Sequence, residues 1–365
     1  MNNITRKRVL GGTALVGIAG LLLSACAAAP EEGSAGGGDE AKDFLACAVS
    51  DEGSWNDKSF NEAAYEGLTK AQDELGVEIA DAESHSPEDF EGNLAGMVDA
   101  GCDVIFAVGF NFSINDVIFN FADANPDSHF VWIDGWNQGQ ANLKPIGYAM
   151  NQSSFLAGYL AAAYSTTKVI GTYGGLAIDA VTDFMTGFYN GAKAYEVETG
   201  TPVTVVGWNP ATPDQGDFVG DFANTGVAKS ISEGQLAAGA DVIFPVAGGL
   251  FTASAEAIRE AGNPNAVILG VDKDIATTQP ELADITLTSV EKRMTLAVFD
   301  VISELVGGAD FTNEQYTGTL ENEGTALSAF GAFEDKVSAE IKAKLEELKA
   351  GLIDGSIDPL MTPTA

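Results

Sequence analysis

The chain is predicted to be an α/β protein of two lobes, each a parallel sheet flanked by helices. Three observations predict it. From residue 43 short apolar runs alternate with amphipathic stretches. A second series of the same alternation starts at the apolar helix Phe155 to Tyr164, and a third, shorter stretch follows residue 283. Strict strand–helix alternation builds parallel sheets covered on both faces, and a ligand then belongs in the cleft facing the strand C-termini.

Phe44-Leu45-Ala46-Cys47-Ala48-Val49 reads as a buried strand. Phe60, Ala64, Leu68, Ala71 and Leu75 recur at helical spacing, and Ser59 with Glu62 forms a capping-box pattern at that helix start. Val77 to Ala80 is a second strand, Ser86-Pro87-Glu88-Asp89 opens a second helix, and Asp103 to Val108 is a third strand. A helix over about 112–124 and strands at 129–133 and 145–149 complete the first series. In the second, strands at 168–173, 202–207, 241–246 and 266–271 alternate with helices near 181–196, 223–238 and 250–261. Strand 284–289, helix 291–305 and a charged helix near 334–350 end the chain. The expected organisation is a first lobe of residues 43–150 plus about 284–320, and a second of 151–283 plus about 321–355.

Residues 1–25 have the layout of a secretory signal: Arg6, Lys7 and Arg8, an apolar run from Val9 to Leu23, then Ser24 and Ala25. Leu22-Leu23-Ser24-Ala25-Cys26 looks like a bacterial lipobox, which makes Cys26 the expected lipidation site and mature N-terminus. Residues 26–42, rich in Ala, Gly, Ser, Pro and Glu, are the expected flexible tether. Together they predict a protein lipid-anchored to the cell membrane and facing the extracytoplasmic side.

Of 18 Lys+Arg, three lie in the leader, and the remaining 15 face 53 Asp+Glu. Nucleic acid and bare phosphate both need cationic surface, so this charge argues against either as a partner. Cys47 and Cys102 leave two readings open, a bridge or two buried thiols; sheet adjacency rarely meets disulfide geometry, which favours the thiols.

Catalysis has little support. His85 and His129 are the only histidines, one in a polar loop and one entering a strand, so a His-based triad or His-rich metal site is not expected. Gly171-Thr172-Tyr173-Gly174-Gly175 lacks the spacing and downstream acid of a dinucleotide loop. No cofactor or metal is implied.

Acids and aromatics instead collect at strand ends. Asp51 ends the first strand, and Trp55-Asn56-Asp57-Lys58-Ser59-Phe60-Asn61 runs into the first helix. Phe110 follows the third strand, Asp134 the fourth, and Asp272 and Lys292 lie at the ends of later ones. Each has an ordinary alternative role, in a helix cap or in the core. Their recurrence at one end of successive strands instead suits a flat, uncharged, hydroxyl-bearing ligand, with rings to stack and carboxylates to accept hydroxyl protons.

Asn56-Asp57-Lys58-Ser59-Phe60-Asn61, Gly187-Phe188 with Gly191, Gly239-Ala240-Asp241-Val242-Ile243 with Ala247-Gly248, Gly270-Val271-Asp272, and Thr288-Ser289-Val290 with Lys292 carry a resemblance to a known family. The chain resembles the basic membrane protein family of bacterial substrate-binding lipoproteins, which includes purine nucleoside receptors of ABC transporters. The resemblance implies a type I periplasmic-binding-protein-like fold and capture of a nucleoside by closure of the lobes. It implies that Phe60 and Phe222 sandwich the base, with Asp51 and Asp134 approaching from the first lobe. Asp272 would hold ribose hydroxyls, Lys292 would complete the polar contacts, and Gly248 would let the backbone come close. The implied partners are an ABC permease and its ATPase, and the protein is expected to be a monomer and not an enzyme. The alternatives are a sugar receptor of the same fold and a nucleoside-cleaving enzyme, which needs an acid–base pair or metal cluster.

Overall fold

The structure is a computed structural model and describes residues 43–364; the expected signal, Cys26 and the tether lie outside the described residues. In chain order the first lobe is built from β1 (Leu45–Ser50), α1 (Phe60–Leu75), β2 (Glu78–Ala82), α2 (Phe90–Ala100), β3 (Val104–Val108), α3 (Val117–Ala124), β4 (Phe130–Ile133) and β5 (Leu143–Tyr148). After α4 (Met150–Tyr164) come β6 (Val169–Gly174), α5 (Asp179–Thr199), β7 (Thr204–Val206), α6 (Thr225–Ala237), β8 (Val242–Val246), α7 (Phe251–Ala261), β9 (Val267–Asp272), α8 (Ile275–Thr278) and β10 (Thr286–Lys292). The chain ends in α9 (Met294–Val306), β11 (Tyr316–Gly318), β12 (Thr325–Leu327) and α10 (Ala339–Ile353).

One sheet has the order β11-β5-β4-β3-β1-β2 and the other β12-β10-β9-β8-β6-β7. The assigned pairings are parallel except β12 against β10, so the two-lobed α/β architecture expected from alternation is present. The chain passes between the sheets after β5, after β10 and after β11. Multiple crossings at one edge let the lobes rotate about each other without either unfolding.

The second crossing corrects the expected boundary. The run from residue 286 to 292 belongs to the second sheet, in register with β9, and the return to the first lobe follows Lys292 instead of residue 284. A strand buried on both faces reads the same whichever sheet it joins. The following helix α9 does pack in the first lobe, Met294, Ala297 and Val298 sharing a core with Ala63, Ala64 and Leu68 of α1.

Two local expectations also change. Ser59 does not cap α1; Asp57 does, its carboxylate accepting the backbone N–H groups of Ser59 (2.8 Å), Asn61 (2.9 Å) and Glu62 (3.1 Å). That frees the Ser59 hydroxyl for the other lobe. Cys47 and Cys102 are bridged, with Cα atoms 5.9 Å apart. They are not sheet neighbours: Cys47 pairs with Ile105, and Cys102 sits in the α2–β3 turn, whose backbone folds over the face that Cys47 enters.

The glycines of the Gly187/Gly191 motif explain the tight α4–α5 packing. A side chain at Gly191 would strike the Phe155 carbonyl, and one at Gly158 the Phe188 carbonyl, so the two backbones meet only because neither has a Cβ.

Candidate functional site

The strand C-termini of the two sheets face each other, and the charged groups there are tied across the lobes. Lys292, the last residue of β10, is 3% exposed. Its Nζ donates to both carboxylate oxygens of Asp134, at 2.7 and 2.6 Å, on the loop that ends β4 in the other sheet. Asp272 closes β9 and accepts a 2.7 Å hydrogen bond from the Ser59 hydroxyl of the first lobe. Asp134 (φ 60°) and Asp272 (φ 66°) both hold left-handed backbone conformations, unusual for non-glycine residues and common where strand ends turn into sites.

Around the ammonium of Lys292 lie the rings of Phe60, Tyr148 and Phe184, with centroids 5.1, 5.4 and 5.6 Å away. Burial pushes the Asp272 carboxyl up to about 6, against the pull of Lys292 and Ser59. The buried Tyr148 hydroxyl has no hydrogen-bond partner, and burial raises it far above the usual phenol range. A cavity of about 430 Å³ enters between the lobes beside Glu66, Lys273 and Thr295 and reaches Asp272 and Lys292.

The first-lobe wall is built by the β1–α1 loop and the turns after β3 and β4. Asp51 accepts from the Gly53 N–H and the Asn61 side chain, each at 3.1 Å, and burial pushes it up to about 7. It lies against Gly109 (φ 120°), where any Cβ would collide with its carboxylate. Phe110 follows, its ring 5.7 Å from that of Trp136, which is 38% exposed. Asn56 is exposed and bonded to Lys58, and Asp57 is committed to the helix start, where burial raises its carboxyl. The carboxylate of Asp57 is therefore a support of the wall and not a free acceptor, because each oxygen already takes backbone N–H groups.

From the second lobe, Phe222 is 40% exposed and its ring lies on Gly175, where a side chain would displace it. The neighbouring Trp208 and Phe218 pack edge to face, Trp208 being only 5% exposed. Gly248 adopts φ 55° with open space around its missing side chain. The close approach falls one residue on, at Gly249, where a Cβ would stand 2.7 Å from the Asp57 carbonyl oxygen.

Sequence reasoning missed Ser59 as the partner of Asp272, the ring of Tyr148, Gly249 and the inter-lobe cation Lys273, which meets Glu62 at 2.8 Å and Glu66 at 2.7 Å. Glu62 and Glu66 sit one helical turn apart on α1, so their pairing on one face was readable, but their common partner was not. It also missed Asp183 of α5, whose carboxyl burial pushes up to about 6 beside Asp179.

Residues 44–347 match the family model Bmp, described as ABC transporter substrate-binding protein PnrA-like. The CD4+ T-cell-stimulating antigen of Listeria innocua is 30% identical over 355 residues, covering 93% of this chain and 94% of that protein. The ABC transporter nucleoside-binding protein BmpA of Lactococcus lactis is 27% identical over 367 residues, covering 96% and 98%. A solute-binding protein of an Aeropyrum pernix ABC transporter system superposes with a TM-score of 0.77 at 23% identity, covering 88% of this chain and 94% of its own, which shows the shared fold. Among the described residues no helix is long and apolar enough to cross a membrane. The chain belongs to the Bmp family of PnrA-like ABC transporter substrate-binding proteins.

Proposed function

We propose that this protein captures a nucleoside, preferably a purine nucleoside, between its lobes and delivers it as a monomer to an ABC permease, while anchored to the membrane by a lipid on Cys26. The observation that carries the ligand assignment is the polar hub at the lobe junction: one buried ammonium, Lys292, beside Asp134 and Asp272, roofed by the ring of Phe60. Phe222, the exposed aromatic of the opposite lobe, supplies the second face for a base. Acids outnumber the cation there, so the hub favours a neutral hydroxyl-bearing ligand and disfavours a phosphorylated one.

Binding is then closure. Contacts available only when both lobes meet, Ser59 to Asp272 and Lys273 to Glu62 and Glu66, add to those made by the ligand and hold the closed form. No covalent step is required. Supporting the membrane anchor are the basic-then-apolar leader and the cysteine that closes it.

The test is calorimetric titration of a chain lacking residues 1–26 with inosine, adenosine, guanosine, uridine, adenine and ribose, repeated on Asp272→Ala. Saturable nucleoside binding, tightest for purines, that collapses in Asp272→Ala is expected. Binding to ribose alone, or to no nucleoside, overturns the ligand assignment and leaves the family intact. Release of free base from bound nucleoside would instead make the protein a hydrolase.

A further inference from the structure

The segment Gly171-Thr172-Tyr173-Gly174-Gly175, which lacks the spacing of a dinucleotide loop, has glycines of another use. Each admits a side chain from outside β6. A Cβ at Gly171 would strike the side-chain amide of Gln235, one at Gly174 the ring of Phe218 and the side chain of Val181, and one at Gly175 the ring of Phe222. Gly175 differs from the other two. The three atoms nearest its missing side chain, at 2.3, 2.4 and 3.0 Å, all belong to one ring, and that ring is 40% exposed. Its backbone is not in the left-handed region, so chain conformation does not demand a glycine there.

The backbone around that ring is held on both sides. Residues 217–220 run along the end of β6: the N–H of Gly174 donates to the Asp217 carbonyl at 3.0 Å, and those of Val219 and Gly220 donate to the carbonyls of Gly174 and Gly175 at 2.9 and 2.8 Å. The Gln235 side chain ties the same segment down, donating to the Asp217 carboxylate at 3.0 Å and to the Thr172 carbonyl at 2.9 Å. The Asp221 carboxylate then accepts the N–H groups of Ala223 (2.8 Å) and Asn224 (2.7 Å), and Asn224 caps α6 by accepting from Val227 at 3.1 Å. A ring on a fixed backbone has only its own rotamers to choose from. The bare backbone of Gly175, at the C-terminal end of β6 that faces the cleft, is the floor that decides between them.

We propose that Gly175 is a positioning residue for Phe222: its missing side chain lets the ring settle onto the backbone, and the depth reached sets the room left for a planar base on the other face. The proposal rests on the nucleoside reading above. Non-bonded carbons meet at about 3.5–4.0 Å, so a methyl at Gly175 would push the ring outward by more than about 1 Å, into the space the base is to occupy. Phe222 touches the ligand, and Gly175 acts only through it.

The experiment titrates the intact wild-type chain, Gly175→Ala, Phe222→Ala and the double variant with inosine, with thermal melts of the four unliganded proteins. Gly175→Ala is expected to weaken inosine about tenfold, the scale of a lost aromatic stack. Phe222→Ala should lose at least as much, and the double variant no more than Phe222→Ala alone, because without the ring the added methyl has nothing to displace. Melting of Gly175→Ala should stay near wild type, since the half-exposed ring can swing into solvent and the backbone accepts alanine.

Wild-type affinity for inosine in Gly175→Ala overturns the inference and leaves the nucleoside reading standing. So does a double variant whose loss is the product of the two single losses, or a fall in melting temperature that persists in the double variant, since either makes Gly175 a requirement of the fold and not of the ring. Absence of any nucleoside binding by the wild type overturns both.

Discussion

Replacing Lys292 by methionine removes the positive charge that Asp134 touches and that acts at longer range on Asp272 and Asp183, and the consequence is asymmetric. Asp134 loses both short bonds to Nζ, and Asp272 and Asp183 lose the group that draws their carboxyls down. Stripping one partner from a buried ion pair costs about 3–5 kcal/mol, because the remaining charge has lost both water and its counter-ion. Removing the acid is milder: in Asp134→Asn the amide still offers the ammonium a neutral acceptor, and Asp272 and Asp183 still act on it at longer range, so the loss should stay near about 1–2 kcal/mol, that of a charge-assisted hydrogen bond. Urea denaturation at pH 7.5 of wild type, both single variants and the double variant reads these numbers as shifts in midpoint. Lys292→Met should be the most destabilised, and the double variant should recover part of the loss. The Lys292→Met deficit should shrink at pH 5.5, where Asp272 and Asp183 take up protons. Equal losses in the two single variants, or a deficit that grows on acidification, would refute the reasoning.

Three further outcomes follow from the same structure. Asp51 is held at about 7 against an ordinary 3.8, so the folded protein binds more protons than the unfolded chain between those values and its stability falls as pH rises through them. The unliganded midpoint should therefore be lower at pH 7.5 than at 5.5, by about 1–2 kcal/mol from this group, and Asp51→Asn should flatten the slope; an unchanged slope in that variant sinks the assignment. Opening the Cys47–Cys102 bridge, which spans 55 residues of sequence, should cost about 2–4 kcal/mol, read as a lower melting temperature of Cys47→Ser/Cys102→Ser, with no shift meaning that the bridge is redundant with packing. Gly249→Ala should wedge the lobes apart at the Asp57 carbonyl, weakening ligand about tenfold or more while melting of the unliganded protein barely moves; affinity equal to wild type would show that closure tolerates a Cβ there.

The two-lobed fold was legible because helix and strand periods alternate cleanly over most of the chain, and β1, α1, β3 and β8 lie within a residue or two of where periodicity puts them. The short β11 and β12 were not, since Tyr316–Gly318 and Thr325–Leu327 are strands only by virtue of the edges they join. The lobe assignment of β10 failed for a related reason: all its residues but Glu291 are buried and carry no mark of their neighbours. In the site, the residue types at strand ends were visible, but their partners were not. Ser59 and Glu62 match a capping box locally, yet Ser59 is drawn to Asp272 and Glu62 to Lys58 and Lys273, contacts from up to 213 residues away that outcompete the helix start. Asp183 had no signal at all, because an acid in the second turn of an amphipathic helix is ordinary until burial is known.

The most direct test of the central claim is a crystal structure of the chain grown with inosine. Density is predicted for the base between Phe60 and Phe222 and for the ribose against Asp272 and Lys292, with the Ser59–Asp272 and Lys273–Glu62 contacts in place. Inosine bound elsewhere, or lobes closed with the ribose turned away from Lys292, would contradict it.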